Sequence, residues 1–211
     1  MPSQPRHVPI CVAWPLDGAM DDLPTAAEAA RVVADALEGH GLPYAIGGAI
    51  ALGFYAVPRA TVDLDINVFA VPPEALPQTL SALAEAGFVA DEDADSLQQR
   101  ATSEGQFRGH LSGLRVDVFV PAIAYYAELA TRRRQIVLLG RPAWILGPED
   151  LVVLKMMFFR RKDLADVEAV LREQGQSLDR SFVRAKLIEL VGAEDERVRE
   201  LAVIERDVDA A

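Results

Sequence analysis

The chain has 211 residues, of which 51% are hydrophobic, and these values predict a globular protein with a substantial core. Its formal net charge of −11 excludes general, sequence-independent DNA binding, because that binding relies on many Lys and Arg side chains. Cys11 is the only cysteine, which excludes an internal disulfide or a thiolate metal cluster and fits a reducing compartment. No stretch has the apolar length of a membrane span, so we expect a cytoplasmic protein with no membrane partner.

The first half of the chain predicts helices and strands that are separated by glycine and proline. Residues 1–22 contain several prolines and predict a loosely packed arm. Thr25 and Glu28 have capping-box spacing, which predicts the start of a helix. The acidic segment Asp91–Ser96 predicts a solvated loop. The other predicted elements are the strand Pro43–Ile46, the helix Ala49–Tyr55, the strand Thr61–Phe69, the helix Pro72–Ala86 and the strand Phe88–Ala90.

The second half predicts two hairpins and then a series of helices. The first hairpin joins Gln106–Leu111 to Leu114–Val120, and the second joins Gln135–Leu139 to Pro142–Leu146. A short helix over Ala122–Ala130 separates them. Further helices are predicted to begin at Gly147-Pro148, Lys162, Asp179 and Glu194.

Two acidic residues share one face of the predicted strand Thr61–Phe69. Because successive side chains of a strand point to opposite faces, Asp63 and Asp65 lie with Thr61 and Asn67, away from the apolar residues. Like charges this close repel unless a cation lies between them or one takes up a proton. No basic residue within the strand pairs with them, so the simplest explanation is a hard divalent cation such as Mg²⁺. A solvated edge strand is the alternative.

Other residues strengthen the case for a site that binds phosphate and metal. Asp117 lies opposite an apolar strand face and would add a third carboxylate, although alone it fits an ordinary exposed Asp. Gly47-Gly48 lies between a strand and a helix, where glycine lets a phosphate approach backbone N–H groups, or where it forms only a tight turn. Arg59 either reaches a phosphate or is a surface cation. Lys155 interrupts an apolar helix, so it either reaches solvent or binds a triphosphate.

The pattern as a whole resembles the nucleotidyltransferase superfamily that includes DNA polymerase beta. The signature of that superfamily is an apolar residue, a glycine pair, a spacer and D-x-[DE] between apolar residues, here Gly47-Gly48 and Asp63-x-Asp65. The resemblance implies an α+β fold, with a mixed sheet and flanking helices over residues 23–146 and a helical C-terminal lobe over 147–211. The active site would lie between them.

A narrower resemblance is to the AbiEii and MenT toxin-like nucleotidyltransferases of bacteria. It rests on R-x-T-x-D-x-D from Arg59, on P-E-D-L-x-x-L-K ending at Lys155, and on the K-D-x-x-D sequence that follows. It covers Leu23–Glu173. Two departures matter: Gly48 replaces a serine often found there, and Asp117 is a position that many toxin-like relatives do not clearly retain.

The resemblance implies a role for each candidate residue. Asp63 and Asp65 would bind two Mg²⁺ ions, and Asp117 would share one of them and accept a proton. Asp163 or Asp166 would act from the second lobe, unless Asp166 only pairs with Lys162. The residues expected at the NTP substrate are Gly47, Gly48, Arg59, Thr61, Lys155, Asp163 and Asp166.

The expected reaction is transfer of a nucleoside monophosphate from an NTP to an acceptor hydroxyl, with three hypotheses for the role of the protein. The first is a toxin-like enzyme that modifies RNA or a tRNA end and has a cognate antitoxin, supported by the basic residues Arg132–Arg134, Arg141 and Arg160–Lys162. The second is an aminoglycoside-type antibiotic nucleotidyltransferase, since a cationic drug suits an acidic protein. The third is a non-catalytic interaction module, against which the retained acids argue.

Overall fold

Seven strands form one mixed sheet in the part of the chain that the structure describes. The structure is a computed structural model that describes residues 24–210, so the predicted arm over 1–22 lies outside the described residues. The strands are β1 (Tyr44–Ile46), β2 (Asp63–Val68), β3 (Phe88–Ala90), β4 (Gln106–Leu111), β5 (Leu114–Phe119), β6 (Arg134–Leu138) and β7 (Arg141–Ile145). Their order across the sheet is β3-β4-β5-β2-β1-β7-β6.

Nine α-helices within residues 24–210 flank or follow this sheet. They are α1 (Ala26–Gly39), α2 (Gly48–Leu52), α3 (Leu76–Glu85), α4 (Ala94–Ser103), α5 (Tyr125–Arg132), α6 (Pro148–Phe158), α7 (Arg161–Gln174), α8 (Arg180–Val191) and α9 (Glu196–Ala210). The last four follow β7 in succession, so the expected α+β fold with a helical C-terminal part is confirmed. A division into two lobes at residue 146 stays a prediction. None of the described helices combines the length and apolar character needed to cross a bilayer.

Strand β2 lies in the interior of the sheet and positions the acidic residues. It runs parallel to β5 and antiparallel to β1. Its apolar face is fully buried in the hydrophobic core, through Leu64, Ile66 and Val68. This burial fixes the register, because a shift by one residue would move the carboxylates of the other face into the core. The alternation predicted from the sequence is therefore present, although β2 begins at Asp63 and not at Thr61.

Local signals explain where several elements begin. The capping box predicted for α1 is present: the Glu28 N–H donates to Thr25 Oγ1 at 3.2 Å, and the Thr25 N–H donates to Glu28 Oε2 at 2.8 Å. Helix α3 begins at Leu76 and not at Pro72, because a turn occupies residues 72–75. Helix α2 ends at Leu52, three residues earlier than expected.

One prediction about the acidic segment was wrong. Asp91–Ser96 is not simply a solvated loop, because Asp93 caps helix α4 by accepting hydrogen bonds from the N–H groups of Asp95 and Ser96. Only Leu97 and Ala101 of this helix are buried, so its apolar stripe is too short to stand out in the sequence. Asp93, a residue type that often caps helices, was the better sequence signal for the start of this helix.

Candidate active site

A cleft lies between the acid-bearing face of the sheet and the helices α6 and α7. Its floor comes from β2 and β5, its rim from the start of α2 and the loop before β2, and its wall from α6 and α7. The predicted site residues that line it are Gly47, Gly48, Arg59, Asp63, Asp65, Asp117, Lys155 and Asp163. Thr61 and Asp166 contact these residues, since Thr61 donates to Asp63 and Asp166 accepts from Lys155.

The register of β2 and β5 brings the three acids together. In this parallel pair Asp65 lies directly opposite Asp117, and Asp63 lies opposite Arg115. Since residues two apart in a strand share a face, the three carboxylates and the Arg115 guanidinium occupy the same side of the sheet. Asp117, which is far away in sequence, thus lies beside the acidic pair.

The Asp65 carboxyl is half-buried beside the other two acids. Burial, together with the charges of Asp63 and Asp117, raises its pKa from 3.8 to about 6. No hydrogen bond from the described residues to its carboxylate opposes this shift. Like charges around a half-buried carboxylate are the arrangement that a bound cation would relieve.

Arg108 of β4 and Arg115 of β5 pair with the other two acids. No basic residue lies within β2 itself, as the sequence indicated, but these arginines come from other strands of the sheet. Arg115 Nη2 donates to Asp63 Oδ2 at 2.7 Å, and Arg115 Nε lies 3.3 Å from Asp117 Oδ2. Arg108 of β4 also donates to Asp117. Burial raises the pKa of Asp63, but the hydrogen bond from Thr61 and the charge of Arg115 outweigh it and hold that pKa below its ordinary value.

The three acids do not form a complete metal site in their present arrangement. Within residues 24–210, no group of three or more Asp, Glu, His or Cys side chains is arranged to hold a metal ion as it stands. The donor set nevertheless fits a hard divalent cation, since it offers only carboxylate oxygens from adjacent strand positions. The raised pKa of Asp65 supports this fit.

The glycine pair is required by its closeness to Asp65. The Gly47 N–H donates to the Asp65 backbone carbonyl at 2.9 Å, which joins the pair to β2. Gly48 has a φ of +54°, and a Cβ added there would overlap the Asp65 carboxylate. A serine at position 48 would meet the same obstacle, so the departure from the family pattern has a local steric reason.

Replacing Gly48 by Ala is expected to reduce both stability and any function of Asp65. The left-handed backbone alone costs about 1–2 kcal/mol for a residue with a Cβ, and the displaced carboxylate adds to that cost. Gly41→Ala is the matched control, because Gly41 has a φ of +66° but open space around its Cβ position. Urea unfolding should show a larger loss for Gly48→Ala. Equal losses would mean that Asp65 does not approach position 48 so closely.

The wall of the cleft contains a buried ionic network centred on Asp166. Lys155 Nζ donates to Asp166 Oδ2 at 2.6 Å, and Arg59 donates to both carboxylate oxygens at 3.1 and 3.0 Å. Burial raises the pKa of Asp166, but the hydrogen bonds from Arg59 and Lys155 outweigh it and lower that pKa. Asp163 lies 3.7 Å from Lys155 and pairs with Arg160. The Lys162–Asp166 pair suggested by spacing is replaced by these contacts.

The basic residues counted toward RNA binding do not form one surface. Arg132 and Arg134 pair with acids at the start of α6, Arg133 donates to the Tyr44 carbonyl, and Arg141 pairs with Asp35 of α1. Of that set, only Arg160 and Lys162 line the cleft. Arg115 also lines the cleft but was not in that set, although the alternation of a strand puts it on the same face as Asp117.

The raised pKa of Asp65 gives a prediction for the dependence of stability on pH in EDTA. The folded pKa of about 6 exceeds the ordinary 3.8, so the stabilisation from this group is present below about pH 4 and lost as the pH rises through 6. Asp65→Asn removes the effect. We expect its stability relative to wild type to improve by about 2 kcal/mol between about pH 4 and 7 in urea unfolding. A difference that does not change with pH would contradict this assignment.

The mixed sheet with its flanking and C-terminal helices is the nucleotidyltransferase fold. The chain matches no protein-family model and no curated protein. It is similar to the solution structure of the antibiotic-resistance factor ANT(2'')-Ia, with a TM-score of 0.54 and 17% identity over 88% of this chain and 97% of that chain. A crystal structure of ANT(2'')-Ia in complex with adenylyl-2''-tobramycin has a TM-score of 0.55, also at 17% identity, over 76% and 95%.

Proposed function

We propose that the cleft transfers a nucleoside monophosphate from an NTP to an acceptor hydroxyl and releases pyrophosphate. The observation that carries this proposal is the meeting of Asp63, Asp65 and Asp117 on one sheet face, beside a glycine turn and opposite Lys155. The nucleotidyltransferase fold supports it, although fold alone does not define an activity. A structural ion-pair cluster would not explain why Asp65, unlike Asp63 and Asp117, makes no salt bridge to the residues that the structure describes.

Each candidate side chain has a part in this reaction. Asp63, Asp65 and Asp117 would hold magnesium, and Asp117 would accept the proton of the acceptor hydroxyl. Magnesium, when bound there, would lower the pKa of that hydroxyl and offset the charge of the triphosphate. Lys155 and Arg59 place positive charge beside the phosphates, and Asp166 holds both of them in position. Of the two acids of α7 considered for the site, Asp163 lines the cleft and Asp166 does not.

The aromatic part of the cleft offers a surface for the nucleotide base. Phe119 of β5 and Phe158 of α6 form an edge-to-face pair with ring centroids 5.8 Å apart. The Arg160 guanidinium lies 5.0 Å from the Phe158 ring centroid. Aromatic faces and a stacked guanidinium bind planar bases with little dependence on sequence.

The charge of the cleft favours an anionic acceptor such as RNA. Five basic and four acidic side chains line the cleft, although the whole chain carries −11. Arg108 beside Asp117 and Asp166 beside Lys155 add one charge of each sign, so the excess stays at one positive charge. The acidic excess of the protein therefore lies elsewhere, and a local field of this sign attracts phosphates. We accordingly place an RNA or tRNA end first among the acceptors, as in a toxin-like enzyme that a cognate antitoxin would restrain.

A small-molecule antibiotic is the second candidate acceptor. It is favoured by the similarity in fold to ANT(2'')-Ia, whose crystal structure contains adenylyl-2''-tobramycin. An aminoglycoside is a polycation, so it would have to bind away from the basic side chains that line the cleft. The charge argument and the fold argument thus point to different acceptors.

Incubation of the protein with α-labelled NTPs and Mg²⁺ tests the proposal. Total tRNA and a panel of aminoglycosides are offered separately, with EDTA and the Asp63→Asn variant as controls. Label on RNA supports the first acceptor, and label on a drug supports the second. Absence of label in both, together with normal NTP binding, would favour the non-catalytic interaction module.

A further inference from the structure

Arg115 occupies an unusual position for a basic residue, in the middle of the acidic cluster. It precedes Asp117 by two residues on β5 and stands opposite Asp63 in the register with β2. Its guanidinium donates to Asp63 at 2.7 Å and lies 3.3 Å from Asp117. One side chain thus bridges two of the three carboxylates that the proposed function assigns to magnesium.

Arg115 is held by one hydrogen bond and by its charge, and its side chain is partly exposed. A guanidinium stays protonated, so its charge is present at any working pH. Arg115 Nε makes no hydrogen bond to the described residues, so its attraction to Asp117 acts through charge alone. The side chain is also 42% exposed, which gives it a path into solvent.

We propose that Arg115 is an internal counterion that competes with the divalent cation for Asp63 and Asp117. In the absence of metal it offsets the repulsion among the three acids and so stabilises the fold. A metal ion that binds the Oδ2 atoms of Asp63 and Asp117 has to displace the guanidinium from them, which lowers the affinity for metal. This inference rests on the proposed function only in taking the acids as metal ligands.

The competition should appear directly in metal binding. Arg115→Gln removes the charge but keeps a polar side chain, and we expect it to bind Mn²⁺ about fivefold more tightly than wild type, the range of one partly exposed ion pair. In EDTA the same variant should unfold at a lower temperature than wild type. Arg115→Lys keeps the charge without the planar fork, and its affinity should lie between the two.

The test uses the full chain and counts free Mn²⁺ by electron paramagnetic resonance during titration. Arg172→Gln is the matched control, because Arg172 pairs with Glu168 on the exposed surface of α7 and lines no part of the cleft. It changes the net charge equally and should leave Mn²⁺ affinity unchanged.

The outcomes separate this inference from the proposed function. Tighter Mn²⁺ binding in Arg115→Gln, with the intermediate value for Arg115→Lys, supports the competition. Equal or weaker binding overturns it and leaves the proposed function intact, because a merely structural arginine would lower thermal stability alone. If neither wild type nor the Arg115 variants bind Mn²⁺, the acids are not metal ligands, and both the inference and the proposed function are rejected.

Discussion

The Asp63→Asn variant is expected to lose nucleotidyl transfer by about three orders of magnitude, which is about 4 kcal/mol of transition-state stabilisation. The amide keeps the shape of the side chain but removes the negative charge that would hold magnesium. Asp63 is partly exposed, and its backbone place in β2 depends on the buried residues of the opposite face. The variant should therefore fold normally, so that the lost activity reports on chemistry.

Once the acceptor has been identified, single-turnover rates with α-labelled NTP measure this effect. Asp207→Asn is the matched control, since Asp207 is exposed on α9 and lies outside the cleft. It makes the same chemical change and should retain the wild-type rate. If Asp63→Asn has full activity and a wild-type circular dichroism spectrum, Asp63 is not a catalytic residue.

The Lys155→Met variant is expected to be less stable than wild type by about 3 kcal/mol. Lys155 is 6% exposed and contacts two buried acids, Asp166 at 2.6 Å and Asp163 at 3.7 Å. Methionine is unbranched and only one atom shorter, but among the described residues it leaves these carboxylates with only Arg59 and Arg160 as partners. Removing one partner of a buried charge network costs more than the network itself contributes.

Lys186→Met provides the control for this prediction. Lys186 also contacts two acids, but Glu128 and Glu189 are exposed and remain hydrated after the substitution. Its loss should cost no more than about 1 kcal/mol. Urea unfolding of both variants gives the comparison. A loss for Lys155→Met as small as that for Lys186→Met would show that Asp163 and Asp166 do not depend on Lys155.

The features of the site that could be predicted from the sequence are those that depend on neighbouring residues within one strand or turn. Strand alternation placed Asp63 and Asp65 on one face, and the same rule separated Asp117 from the apolar residues of β5. The glycine pair also marked a real constraint, because Gly48 has no room for a side chain beside Asp65. Each of these inferences needs only residues within a few positions of one another.

The parts that were missed depend on which elements become neighbours. The pairing of Arg115 with Asp63 follows from the register of two parallel strands that are separated by about fifty residues of chain, and no local pattern defines that register. Likewise, Asp166 pairs with Lys155 and Arg59 because α6, α7 and the loop before β2 meet. The i, i+4 spacing suggested Lys162 as the partner of Asp166, because such spacing describes contacts within one helix and not contacts between elements.

Determination of the structure with Mg²⁺ and a non-hydrolysable NTP analogue tests the central claim most directly, because it does not require the acceptor to be known. We predict a metal ion bound by Asp63 and Asp65 with Asp117, and the triphosphate beside Gly47-Gly48 and Lys155. A nucleotide bound outside this cleft, or a metal that avoids these carboxylates at saturating concentration, would contradict the account.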